Sequence, residues 1–259
     1  MKKSLLILIA LGLLGAAAHG EGRLTIAAAA DLRYALDEII TAYRQHHAGA
    51  EVEVIYGSSG KITTQILNGA PFDVFFSADI AYPERLFREK FAVTEPRVYA
   101  LGRIVLWSKR HEASTLTLHD LTRKDIRRIA IAQPAHAPYG LRAREALIAA
   151  GIWDEIQPKL VFGENIAHAA QMAQSEAADV GIIALSLALF PDLARHGYHL
   201  IDADLHAPLT QGYVITRYGR ENPLAHDFSA FMNGDPARTI MESYGFVLPG
   251  RENRETDTP

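Results

Sequence analysis

The residues best suited to chemistry in this chain lie in the Gly-Ser-Ser-Gly run at 57–60. The preceding segment, 51–56, alternates apolar and polar residues as a strand does, and apolar residues with helical spacing follow over 62–67. The two glycines permit a sharp turn, which brings Ser58 and Ser59 to the start of that helix. Because a helix begins with unpaired N–H donors and the positive end of its dipole, this stretch suits an anion. A serine-capped helix start without a ligand is the alternative.

Two known Gly-Ser motifs with other chemistry do not fit this run. A phosphate-binding P-loop needs glycine and then serine or threonine where Ile55 and Ile62 stand. The nucleophile elbow of hydrolases, G-x-S-x-G, is one residue longer than the run at 57–60. We therefore infer the role of this run from its position between a strand and a helix.

Composition narrows the classes of function. The chain has 259 residues, 49% of them hydrophobic, and a formal net charge of −4. A mildly acidic protein is a poor candidate for binding nucleic acid, so we expect no nucleic-acid partner. It has no cysteine, which excludes a disulfide and a lipid-anchor cysteine. Its eleven histidines show no zinc-binding spacing, so we predict no bound metal cation.

The two ends of the chain are predicted to lie outside the folded protein. Residues 1–20 have the form of a signal peptide: two lysines, an apolar run over 5–14, and small residues before a predicted cleavage at Glu21. The apolar run is too short to span a membrane. We therefore expect export to the periplasm, with 251–259 as a frayed polar tail.

Between these ends, strand and helix patterns alternate with short links. This order predicts an α/β protein with parallel sheets flanked by helices. Strands are predicted at 23–29, 51–56, 73–77, 104–108, 128–132, 159–162, 180–184, 198–201 and 213–216.

Four predicted strands lead directly into helices with anion-binding features at their start. These starts lie at 30–31, 58–59, 138–140 and 165–166. In open parallel sheets, ligands bind at the carboxyl ends of strands. If two lobes face each other through these ends, they form a cleft ringed by N–H donors.

At these residues the chain resembles the periplasmic molybdate-binding proteins of ABC transporters. The resemblance covers nearly all of the chain after residue 20 and rests on an ordered set of short motifs. These lie at 28–32, 56–60, 68–79, 137–141, 163–165, 177–181 and 244–249.

The resemblance implies a two-lobed, type II periplasmic-binding-protein fold, each lobe a mostly parallel sheet flanked by helices. Lobe one is expected at 22–101 plus 217–250, and lobe two at 102–216. The implied function is capture of molybdate, and of tungstate, for import through a membrane permease. The implied protein is a monomer with no enzymatic activity and no cofactor.

The resemblance also implies that an oxyanion is held without a basic side chain. The matching residues are Ala30, Asp31, Ser59, Tyr139 and Ile166, which offer backbone N–H groups and the Ser59 hydroxyl. Uncharged donors suit this task because several preorganised N–H and O–H groups together stabilise an anion.

Two positions depart from the family pattern. Ala184 stands where some members have a ligand-binding tyrosine, and Ala30 offers only its backbone in the first loop. We predict Asp31 to be a helix N-cap that points away from the cleft. An Asp31 that faces the ligand, or is protonated, is the alternative.

Two other functions stay open from the sequence. One is the same fold binding sulfate or another tetrahedral oxyanion. The other, from a different class, is an exported serine hydrolase with Ser59 as its nucleophile. That reaction needs a base within hydrogen-bond reach, for which His136 or His168 would have to serve.

Overall fold

The computed structural model describes residues 22–250. The predicted signal peptide and the polar tail lie outside the described residues. Within the described range the chain builds two five-stranded sheets, one for each lobe. The strands are β1 (Arg23–Ala29), β2 (Glu51–Gly57), β3 (Val74–Ser77), β4 (Arg97–Gly102), β5 (Ile104–Trp107), β6 (Ile129–Ala132), β7 (Leu160–Gly163), β8 (Val180–Ala184), β9 (His199–Leu200) and β10 (Leu209–Ile215).

Helices follow most of these strands, as the alternating pattern predicts. The α-helices are α1 (Arg33–His46), α2 (Ser59–Leu67), α3 (Ala81–Arg88), α4 (Pro138–Ala149), α5 (Trp153–Ile156), α6 (Ile166–Gln174), α7 (Leu185–Ala188), α8 (Pro191–Ala194), α9 (Pro223–Phe231) and α10 (Asp235–Ser243). Short 3-10 helices lie at Ala30–Leu32, Ala113–Thr115, His119–Thr122, Gln157–Lys159, Ala203–Leu205 and Tyr218–Glu221.

Both sheets are mixed rather than mostly parallel. The first has the order β2-β1-β3-β10-β4, in which β1 pairs in parallel with β2 and β3 while β10 is antiparallel to β3 and β4. The second has the order β7-β6-β8-β5-β9, in which β6 pairs in parallel with β7 and β8 while β5 is antiparallel to β8 and β9. The parallel strands are the ones whose carboxyl ends lead into the helix starts of interest.

The first sheet is buried on both faces, as the alternation along β1 shows. Leu24 and Ile26 point into the layer of α1, α9 and α10, whereas Ala27 points into the layer of α2 and α3. Each face of the strand therefore needs apolar residues, which is why 26–29 is a continuous apolar run.

Two details differ from the sequence-based expectation. Lobe two is predicted to reach residue 216, but β10 pairs inside the first sheet, so the chain returns to that sheet before Leu209. Strand β4 has no counterpart among the predicted strands. It lies at the edge of its sheet, and its first two residues, Arg97 and Val98, are exposed.

Among residues 22–250, no helix has the length and apolar character that a membrane crossing requires.

Candidate functional site

The five residues predicted to bind a ligand line one cavity between the two lobes. Ala30, Asp31, Ser59, Tyr139 and Ile166 all border it, and none is more than 3% exposed. They come from four separate stretches of the chain, at the carboxyl ends of β1, β2, β6 and β7. The structure thus brings the predicted residues together.

The helix starts around this cavity have N–H groups that no side chain caps, although the Gly60 N–H in the first turn of α2 donates to the His136 carbonyl. Ser58 and Ala137 hold the N-cap positions of α2 and α4, and neither side chain makes a capping hydrogen bond. At α6 the Asn165 side chain accepts only from the N–H of His168. Since first-turn N–H groups have no partner inside their own helix, those of the helix starts can serve an anion in the cavity.

Ser59 is oriented so that its hydroxyl proton is available. Its Oγ accepts a hydrogen bond from the backbone N–H of Ala78 at 3.0 Å. A hydroxyl has one donor, and this bond uses only acceptor capacity. The Ser59 O–H can therefore donate into the cavity, which Ala78 also lines.

Asp31 does not cap a helix, contrary to the expectation from the sequence. Its Oδ2 accepts hydrogen bonds from the Tyr139 hydroxyl at 3.0 Å and from Gln211 Nε2 at 2.8 Å. The 3-10 helix that contains it and the helix α1 that follows have no side-chain cap. Two partners from distant parts of the chain outcompete the local capping geometry, and they hold the carboxyl at the lobe interface.

The surroundings of Asp31 make its carboxyl easier to protonate than an ordinary aspartate. Burial raises the pKa of the Asp31 carboxyl to about 6, against the opposing hydrogen bonds from Gln211 and Tyr139. Burial, and then the charge of Asp31, raises the pKa of Tyr139 well above its ordinary value, so the tyrosine hydroxyl stays a donor. The other carboxyl oxygen of Asp31, Oδ1, is buried without a hydrogen-bond partner in the described structure.

Direct contacts between the lobes surround the cavity. Ser58 Oγ lies 2.9 Å from His136 Nδ1, and the Gly60 N–H donates to the His136 carbonyl at 3.0 Å. Gly60 permits this approach, because a Cβ there would lie 2.8 Å from that carbonyl oxygen. At the exposed rim Lys61 pairs with Glu164 across the cleft at 2.8 Å.

The cavity is compact. Its volume is about 10 Å³, close to the room that one water molecule needs. A ligand larger than one water molecule therefore requires the lobes to separate slightly or side chains to move.

Neither histidine considered as a base makes a hydrogen bond with the Ser59 side chain in the described structure. His136 bonds Ser58, and His168 Nδ1 accepts from the Glu164 N–H at 3.2 Å. Among the described residues, no hydrogen bond joins Ser59 Oγ to a histidine. No group of three or more His, Asp or Glu side chains within 22–250 is placed to hold a metal ion.

Two features of the site bear on its donors. Ala184 ends β8, is fully buried and is not one of the residues lining the cavity.

Gln211, which the sequence does not single out, links Asp31 to Tyr99. The Tyr99 hydroxyl donates to Gln211 Oε1 at 2.6 Å. A polar residue at 0% exposure within a strand is recognisable only once the fold is known.

Comparison with known proteins shows which proteins this chain resembles. A family model described as bacterial extracellular solute-binding protein matches residues 24–247. The chain is 33% identical over 243 residues to the molybdate-binding protein ModA of Rhodobacter capsulatus, covering 92% of this chain and 93% of that protein. It is 32% identical over 248 residues to ModA of Azotobacter vinelandii, covering 94% of this chain and 97% of the relative.

The fold agrees with a solved structure of the same kind. The periplasmic molybdate-binding protein of Azotobacter vinelandii superposes with a TM-score of 0.81 at 32% identity. The match covers 87% of this chain and 99% of that one. The two-lobed architecture is therefore that of a periplasmic binding protein, as predicted.

Proposed function

Because this chain belongs to the family of bacterial extracellular solute-binding proteins, we propose that it captures molybdate between its lobes for import by an ABC transporter. Tungstate, of the same shape and charge, is a second ligand. The partner is a membrane permease, and the protein acts as a monomer in the periplasm after removal of residues 1–20. It binds and releases its ligand without chemical change.

One observation carries this proposal: donors from four distant stretches of the chain converge on a single buried cavity. The Ser59 hydroxyl and the first-turn N–H groups at Ala30, Tyr139 and Ile166 are the donors. The cavity lining contains no lysine or arginine. Such a site holds an anion by hydrogen bonds alone, so the size and geometry of the anion determine which one binds. The relatives named for molybdate support that choice.

The geometry weakens the hydrolase alternative more than the sulfate one. A serine nucleophile needs an adjacent base, whereas His136 and His168 are both engaged elsewhere. A sulfate ligand would use the same uncharged donors, so ligand size distinguishes it from molybdate.

A thermal-shift panel on the purified protein tests the proposal. Molybdate and tungstate should raise the melting temperature, while sulfate and phosphate at equal concentration should leave it unchanged. At about 100 times the dissociation constant, a ligand stabilises the folded state by roughly 2.7 kcal/mol. An equal shift with sulfate would contradict the molybdate assignment, and no shift with any oxyanion would contradict the whole proposal.

A further inference from the structure

Asp31 poses a problem for an anion site, because an ionised carboxylate beside a dianion is repelled. The residue is 1% exposed and lines the cavity, so water cannot screen the repulsion effectively. Either an ionised Asp31 prevents the dianion from binding, or a proton lies between the Asp31 carboxyl and the bound dianion.

The bonding of the Asp31 carboxyl shows where such a proton fits. Oδ2 already accepts from Tyr139 and Gln211, and both of these groups are donors there. Oδ1 is buried and has no described partner. A proton on Oδ1 leaves both existing hydrogen bonds intact and turns the unpartnered atom into a donor.

We propose that the occupied site holds a proton on Asp31, which donates a hydrogen bond from Oδ1 to an oxygen of the bound oxyanion. Each capture event then takes up one proton from solution. No covalent bond in the oxyanion breaks or forms. This inference rests on the proposed function, and it assigns Asp31 the part of a side-chain donor that Ala30 and Ala184 cannot supply.

The groups around Asp31 are consistent with this role. Tyr139 at the start of α4 and Tyr99 on β4 are the titratable side chains that face it, and burial raises the pKa of both hydroxyls. The Ser186 hydroxyl on α7 donates to the Asp31 backbone carbonyl at 2.8 Å. The nearest cation in sequence, Arg33, places its guanidinium over the Tyr56 ring instead. A neutral carboxyl is thus favoured over an ion pair.

The linkage has a definite sign. The free carboxyl has a pKa raised to about 6 by burial, and a bound dianion raises it further. Between these two pKa values, affinity should fall about tenfold for each unit of rising pH. At about pH 8, molybdate should bind the wild type roughly 100-fold more weakly than at about pH 6. Over this range molybdate itself remains a dianion.

Isothermal titration of sodium molybdate at about pH 8, in two buffers with different ionisation enthalpies, measures the proton uptake directly. The wild type should take up about one proton per molybdate. Asp31→Asn should take up none, bind with pH-independent affinity, and exceed the wild type in affinity at this pH. Ser59→Ala is the matched control: it should bind more weakly but still take up one proton.

The possible outcomes separate this inference from the proposed function. Molybdate binding by the wild type with no proton uptake and no pH dependence would overturn the role of Asp31 alone. Proton uptake that persists in Asp31→Asn would also overturn it. Failure of molybdate to bind at any pH would overturn the proposed function together with this inference.

Discussion

Asp31 and Asp179 are both almost completely buried, with 1% and 5% of their surfaces exposed, but their surroundings differ. Asp31 lies at the lobe interface, where its partners are the uncharged groups of Tyr139 and Gln211. Asp179 lies just before β8, where it accepts from the backbone N–H groups of Arg127 and Arg128 at 2.8 and 2.9 Å.

The pKa values of the two carboxyls are consequently shifted in opposite directions. Burial raises the pKa of Asp31 to about 6. Burial also raises the pKa of Asp179, but the backbone hydrogen bonds from Arg128 and Arg127 and the charge of Arg110 outweigh it, so the pKa is lowered. Full pairing identifies Asp179 as a structural anion. Oδ1 of Asp31 has no hydrogen-bond partner in the described structure, and our proposal assigns this atom to the ligand.

Removing the structural carboxylate should have the largest effect. Asp179→Ala leaves two backbone N–H groups and Arg110 Nη1 without their acceptor, which should lower the free energy of unfolding by about 4 kcal/mol. Denaturant unfolding at about pH 7 measures this loss. Because a lowered pKa contributes stability above the unfolded value, the difference should shrink as pH falls below about 4. The molybdate affinity of the folded variant should be unchanged. A large loss of affinity would contradict the assignment of a purely structural role to Asp179.

Neutralising Asp31 should change stability in the opposite direction. Its pKa is raised from 3.8 to about 6, so the ionised form costs the folded state about 3 kcal/mol. This cost is absent below about pH 4 and fully present above about pH 6. Asp31→Asn should therefore be more stable than the wild type at about pH 8 and equal to it at about pH 4, as thermal melts at both values will show. A variant that is less stable at the higher pH would mean that the ionised carboxylate is needed for folding.

Two buried serines extend the comparison at a smaller scale. Ser59→Ala removes a hydrogen bond to the anion, worth roughly 1.5–3 kcal/mol, so molybdate affinity should fall about ten- to a hundredfold. Ser108, fully buried near Asp179, donates to the Asp179 carbonyl and accepts from the N–H groups of Arg110 and His111. Ser108→Ala should reduce stability and leave affinity intact. Titration calorimetry measures the molybdate affinity of both variants, and denaturant unfolding measures their stability. Unchanged affinity in Ser59→Ala would make that serine a structural residue.

Local patterns in the sequence were sufficient to predict the framework of the site. Strand and helix periodicity placed three helix starts within 58–59, 138–140 and 165–166, where α2, α4 and α6 begin, because glycines and Pro138 act within a few residues of the turn. The family resemblance then joined these stretches into one site, and the described structure brings them to one cavity.

The direction of the Asp31 side chain could not be predicted in the same way. An aspartate before a helix is normally a cap, and only the approach of Tyr139 and Gln211, 108 and 180 residues away, redirects it. Strand β4 escaped prediction for a related reason. As an edge strand with exposed residues at its start, it lacks the alternation that burial imposes on central strands.

The central claim is that the cavity selects molybdate through uncharged donors. Isothermal titration of the purified wild-type protein with molybdate, then with sulfate, at about pH 6 tests it most directly, because about half of the free Asp31 carboxyl is then protonated. The account predicts one molybdate bound per chain, with sulfate at least about a hundredfold weaker, a difference of roughly 2.7 kcal/mol. Equal affinities for the two anions, or heat from sulfate alone, would contradict it.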